Sequence, residues 1–137
     1  LIATLLPNGM CCANSTNYIS SLKNSLPLNV LLAILNSTAA NYIFKATSTN
    51  TNVTSKEIRK IPIPAMTDND KKQLSKNVDR ILAAKKANPL ADTSELEQEI
   101  DRLVYELYGL TYDEVLIVDP ETPITEEEYN NEGERHE

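Results

Sequence analysis

From Pro27 onward the apolar positions follow a helical period. Leu28, Leu31, Leu32, Leu35, Ala39, Tyr42 and Ile43 return every three or four residues. Proline suits the first turn of a helix, so the spacing predicts one helix over 27–44. Val30, Ala33 and Ile34 fill much of its other face. A helix that is apolar nearly all round is buried or covered by a partner, which makes 27–44 central to the core. Two amphipathic helices follow. Thr67 with Asp70 three residues on is a capping pattern, and Leu74, Val78, Ile81 and Leu82 form one stripe before Asn88-Pro89 ends the run. Ser94 and Glu97 repeat the pattern, and Leu96, Ile100, Leu103, Val104 and Leu107 lead to Gly109, a natural C-cap. The short link between them predicts an antiparallel pair. Thr111 and Glu114 then precede the short apolar run Val115 to Val118.

The remaining segments read differently. Leu1 to Leu6, the turn Pro7-Asn8-Gly9 and Met10 to Ala13 predict a hairpin, with a short strand near Tyr18-Ile19. Residues 45–55 are rich in Ser, Thr and Asn without apolar periodicity, and read as a loop. Val53 to Ile63 reads as extended. Ile61 and Ile63 alternate there with Pro62 and Pro64, which means that the segment lies at a sheet edge or leaves the sheet there. The predicted fold class is α+β: a small β-sheet element from 1–20 and 53–63 packed on a buried helix, followed by a C-terminal antiparallel helical pair and an acidic tail. Three regions result: 1–66, a partial β/α element; 67–118, a helical support region; and 119–137, an acidic tail expected to be flexible.

Composition narrows this further. A length of 137 residues fits one domain or a piece of one, and the opening at Leu1 is read as a piece of a longer protein. With no Trp and one Phe, the core must come from Leu, Ile, Val and Ala. The net charge of −7 conceals a division. Residues 1–90 hold 11 Lys/Arg and 4 Asp/Glu, while 91–137 hold 2 and 16. A basic part followed by an acidic part suggests nucleic-acid contact by the first and solvation or partner contact by the second. Cys11 and Cys12 are adjacent, with no CxxC or His cluster, and read as buried thiols of a cytoplasmic protein. No signal peptide and no membrane-spanning apolar run is recognised.

The sequence offers no catalytic constellation. The glycines Gly9, Gly109 and Gly133 do not sit between a strand and a helix, so no cofactor or phosphate loop is expected. Asn88-Pro89-Leu90-Ala91 lacks the second proline and the aromatic of an amino-methyltransferase loop. His136 lies in the polar tail, and the carboxylates after residue 91 have no lysine among them. The chain is therefore read as non-enzymatic, with no catalytic residue, metal or cofactor of its own. The positive signal is a basic segment beside the polar loop. Lys45, Lys56, Arg59 and Lys60 suit phosphates or bases, and Asn50, Asn52 and Ser55 offer hydrogen bonds. The plainer reading is a solvated strand edge that resists aggregation. Lys72, Lys76 and Arg80 read as the ordinary outer face of an amphipathic helix.

Three blocks carry a resemblance: Leu31-Leu32-Ala33-Ile34-Leu35-Asn36-Ser37; Lys56-Glu57-Ile58-Arg59-Lys60-Ile61-Pro62-Ile63-Pro64; and Glu99-Ile100-Asp101-Arg102-Leu103-Val104-Tyr105-Glu106-Leu107-Tyr108-Gly109-Leu110-Thr111. Over roughly 28–118 the chain resembles the C-terminal region of type II and IIG restriction–modification DNA methyltransferases, with a TaqI-like specificity domain. The first two blocks also echo type I specificity subunits. The resemblance implies a target-recognition piece that contacts duplex DNA. It implies an S-adenosylmethionine-dependent methyltransferase domain, in a parent that also cleaves DNA or does not, lying outside this sequence. The rival reading is a docking module. In that case the Leu96, Ile100, Leu103 and Leu107 face meets the methyltransferase domain or a second copy in a homodimer.

Overall fold

The computed structural model describes residues 3–4, 26–48 and 54–133. Seven helices run through them: α1 (Leu28–Asn36), α2 (Thr38–Thr47), α3 (Ser55–Ile58), α4 (Asp68–Ala87), α5 (Ser94–Leu107), α6 (Tyr112–Val118) and α7 (Glu126–Gly133). Among the described residues no strand is present, so the expected α+β class is corrected to a helical one. None of these helices is long and apolar enough to cross a membrane.

The extended reading of 53–63 fails for a local reason. Thr54 and Glu57 form a reciprocal capping box that starts the single turn α3. Ile58 and Ile61, three residues apart, then pack beside Leu31, Leu35 and Ala40. Ile63, expected on the same face as Ile61, is 44% exposed. The apolar residues thus follow a turn spacing and not a strand alternation. The expected hairpin over 1–13 and the strand near Tyr18-Ile19 lie outside the described residues, except for Ala3 and Thr4. Ala3 donates its N–H to Asn36 Oδ1 and accepts from Asn36 Nδ2, both at 2.8 Å.

The helix predicted over 27–44 is interrupted at Ser37, whose ψ of 153° is extended. The Ser37 hydroxyl donates to the Ile34 carbonyl at 2.6 Å and accepts from Ala40 N–H at 3.2 Å. It therefore ends α1 and caps α2, as small hydroxyl residues do when they compete for backbone groups. Burial holds through the break. Val30, Ala33 and Ile34 pack with Leu74 and Val78 of α4 and with Ile100, Leu103, Val104 and Tyr105 of α5. The opposite side of α1, Leu31 and Leu35, packs on Ala40 and Ile61. α1 is thus the shared wall of two apolar clusters, as its all-round apolar pattern requires.

The two amphipathic helices form, but the expected Ser94–Glu97 capping box does not: α5 starts after Thr93, whose hydroxyl donates to Glu97 at 2.7 Å, while Ser94 bonds Asp92. Thr67 and Asp70 cap α4, and α4 packs on α5. Their antiparallel arrangement follows from contacts at both ends. Lys85 and Glu97 share one cleft beside the connecting turn, and Tyr108, past the end of α5, donates to Pro62 O, just ahead of α4. Gly109 stops α5 at φ +69°, with Gly109 N–H bonded to Glu106 O and Leu110 N–H to Tyr105 O. That is the Schellman pairing, and its left-handed residue favours glycine. Thr111 and Glu114 cap α6. The acidic stretch after Asp119, expected to be flexible, carries α7. Its Tyr129 is buried, and the Tyr129 hydroxyl donates to Leu110 O at 2.7 Å.

Candidate nucleic-acid interface

Of the seven residues singled out for nucleic-acid contact, Lys45, Ser55, Lys56, Arg59 and Lys60 are described, and Asn50 and Asn52 lie outside the described residues. Lys45 occupies the last turn of α2, Ser55 and Lys56 open α3, and Arg59 and Lys60 follow its end. All five are exposed. α2 and α3 touch each other, so these residues share one corner of the molecule. Among the described residues none of the four cations takes part in an ion pair.

The residue that organises this corner was not singled out from the sequence. Glu57 is only 4% exposed although its neighbours Lys56, Arg59 and Lys60 are solvated. Its Oε1 accepts from Ser48 Oγ at 2.8 Å, and its Oε2 accepts from Thr54 N–H at 3.1 Å and Thr54 Oγ at 3.2 Å. Ser48 is the C-cap of α2 and Thr54 the N-cap of α3. One carboxylate thus ties the end of one cation-bearing helix to the start of the next. A buried carboxylate needs such partners, since burial without them costs several kcal/mol (roughly). The signal that could have found it is the Thr-x-x-Glu spacing of 54–57, the same pattern recognised at Thr111 and Glu114.

A second basic surface lies on α4. Lys72, Lys76 and Arg80 are exposed around a shallow hollow of about 510 Å³ that Ser75, Asp79 and Ala83 complete. Asp79 accepts a hydrogen bond from the Asn29 amide, which joins α4 to α1.

The more enclosed hollow is a cleft of about 570 Å³ between α1, α4 and α5, lined by Leu32, Ala33, Ile81, Leu82 and Ile100. Its polar rim is already engaged. Asn36 holds Ala3, Lys85 Nζ donates to Ala91 O, Glu97 accepts from Thr93, and Asp101 accepts both Thr38 N–H at 2.8 Å and Thr38 Oγ at 2.7 Å. Burial raises the Asp101 carboxyl above the ordinary range against the two Thr38 bonds, with the charges of Asp119 and Glu97 adding to the rise. The buried Tyr105 hydroxyl lies near Asp101, and its phenol is pushed far up by burial first and by the Asp101 charge next. The Thr38–Asp101 bonds brace α5 against α2. Among the described residues no group of three or more His, Cys, Asp or Glu side chains is arranged to hold a metal ion.

No protein-family model, no curated protein and no solved structure matches this chain.

Proposed function

We propose that this chain is part of the specificity module of a restriction–modification DNA methyltransferase and that it contacts duplex DNA at the α2–α3 corner. The observation that carries the proposal is the set of exposed cations Lys45, Lys56, Arg59 and Lys60, without an ion pair among the described residues, on two helices joined by one buried carboxylate. The resemblance of 28–118 to that family supplies the class of partner. In this reading the cations hold phosphates, while Ser55, with Asn50 and Asn52, offers hydrogen bonds to base edges or backbone. Methyl transfer from S-adenosylmethionine belongs to a catalytic domain of the parent protein, and this part supplies no chemistry.

Four phosphate contacts give a slope of about −3.6 in log affinity against log salt, on the order of a 100-fold loss between 50 and 200 mM. Fluorescence anisotropy with a mixed-sequence duplex, titrated over that range, tests the reading. A slope near zero, or no binding at low salt by folded protein, would overturn it.

One observation favours the docking reading as the second choice. On α6, Leu116 is 39% and Ile117 64% exposed, and Leu90, in the turn between α4 and α5, is 90% exposed. The face first expected to dock is not free, because Ile100 and Leu103 are buried in the chain's own core. A docking module would therefore use α6, and an Ile117→Asp variant would lose the partner without losing the fold.

A further inference from the structure

We infer that Glu57 is a positioning residue that couples Lys45 on α2 to the cations of α3, so that both helices present charge to one nucleic-acid partner. This rests on the DNA reading above. The geometry behind it is specific. Glu57 sits within a basic segment yet is buried, and it accepts from Ser48 Oγ, Thr54 N–H and Thr54 Oγ. Its two oxygens divide their work, one on the C-cap of α2 and the other on the N-cap of α3.

A capping box by itself requires only the Thr54 side of this arrangement. The Ser48 bond adds a tertiary link across nine residues of chain. Lys45 lies one helical turn before Ser48, and Lys56 adjoins Glu57. Fixing Ser48 to Glu57 therefore fixes the separation of the two charged groups. Phosphate contacts made at once by two helices need that separation held, because every freely moving element must otherwise be ordered on binding.

The test is a double-mutant cycle on the salt slope of duplex binding, with the full chain. Lys45→Ala in the unaltered protein is expected to reduce the slope by about 0.9, one phosphate contact. In a Glu57→Ala background the same substitution is expected to change the slope by less than half as much, since Lys45 has already lost its place. Glu57→Gln keeps an acceptor oxygen and an amide able to meet Ser48 Oγ, and is expected to restore the full Lys45 effect. Should circular dichroism show Glu57→Ala unfolded, Ser48→Ala replaces it, because that change spares the capping box.

A Lys45 effect of equal size in all backgrounds overturns the inference, since a residue that only stabilises the fold would leave the cycle additive. A Lys45→Ala variant indistinguishable from the unaltered protein also overturns it, while DNA contact through α3 stands. Absence of any duplex binding by the unaltered protein overturns both readings.

Discussion

Thr54-x-x-Glu57 and Thr125-x-x-Glu128 are the same motif in two settings. Each threonine accepts its glutamate's N–H, and each glutamate accepts the threonine N–H in return. Beyond that they part. Glu57 is buried and takes a further bond from Ser48 of α2, whereas Glu128 is exposed and its bonds stay within the box. The first box opens a single turn that ends among Arg59 and Lys60. The second opens a helix held by Tyr129, in a stretch where residues 119–131 contain acids and no Lys or Arg. The box determines where a helix starts. The tertiary partner determines what that helix positions, which is charge in one case and a buried ring in the other.

The most severe way to break the comparison is to remove the ring. Tyr129 is 6% exposed and packs near Tyr112, with ring centroids 6.2 Å apart. Burial, with the Glu106 charge next, pushes its phenol up to about 12, so the hydroxyl stays a donor to Leu110 O at ordinary pH. Truncating a buried aromatic costs about 3–5 kcal/mol, so Tyr129→Ala should lower unfolding stability by that order in urea. Tyr129→Phe loses only the Leu110 bond, about 1 kcal/mol. If Tyr129→Ala unfolds at the same urea concentration as the parent sequence, α7 is not part of the cooperative unit, and the two boxes differ less than argued.

Reversing charge at the other box should do the opposite, changing binding and sparing the fold. Lys56→Glu, Arg59→Glu and Lys60→Glu together should reduce the DNA salt slope by about 2.7, three phosphates' worth, and weaken low-salt affinity more than 100-fold on the order-of-magnitude scale of such contacts. Exposed substitutions of this kind usually shift stability by no more than about 0.5 kcal/mol each. The same triple reversal at Lys72, Lys76 and Arg80 sharpens the contrast. If α4 is only a solvated helix face, that change leaves the slope within about 0.9 of its original value. An equal loss at both surfaces would mean that net charge, and not the α2–α3 corner, carries binding.

The contrast also shows what was legible in the sequence. Local punctuation was: Pro27, Thr67, Gly109 and Thr111 each mark a helix boundary that the structure contains. The break at Ser37 was not, because the apolar stripe from Leu28 to Ile43 runs through it unbroken, and only the Ser37 hydroxyl and the Asp101 carboxylate reveal two helices. The α3 turn was hidden by the alternation of Ile61 and Ile63 with prolines, which imitates a strand edge. Tyr129 was masked by the acids around it, since its partner Leu110 lies 19 residues away and no period connects them. At the candidate site the cations were legible as exposed charge. The buried acid among them was not, because burial of Glu57 depends on a bond to Ser48 that only the folded chain supplies.

The smallest expected effect separates two acidic caps by the sign of their pH dependence. Asp101, which caps α2 through Thr38, is raised above 3.8, chiefly by burial. Glu128, which caps α7, is lowered below 4.5 by its Thr125 bonds. For Asp101, both folded and unfolded chains hold the proton well below 3.8. As pH rises through that value the unfolded chain ionises first, so stability is lost until the folded carboxyl ionises too. For Glu128 the order is reversed: its contribution is present above 4.5 and is lost as pH falls through the folded value. Melting temperature measured from pH 2 to 7 should therefore show Asp101→Asn gaining on the parent sequence as pH rises past about 3.8, since the amide oxygen still accepts from Thr38 N–H and no charge is buried. Thr125→Ala should show the converse, with a deficit that narrows on acidification. If Asp101→Asn instead loses most at neutral pH, the ionised carboxylate stabilises the start of α2 by its charge, as acids at helix N-termini can. Burial would then be the lesser of the two effects at that cap.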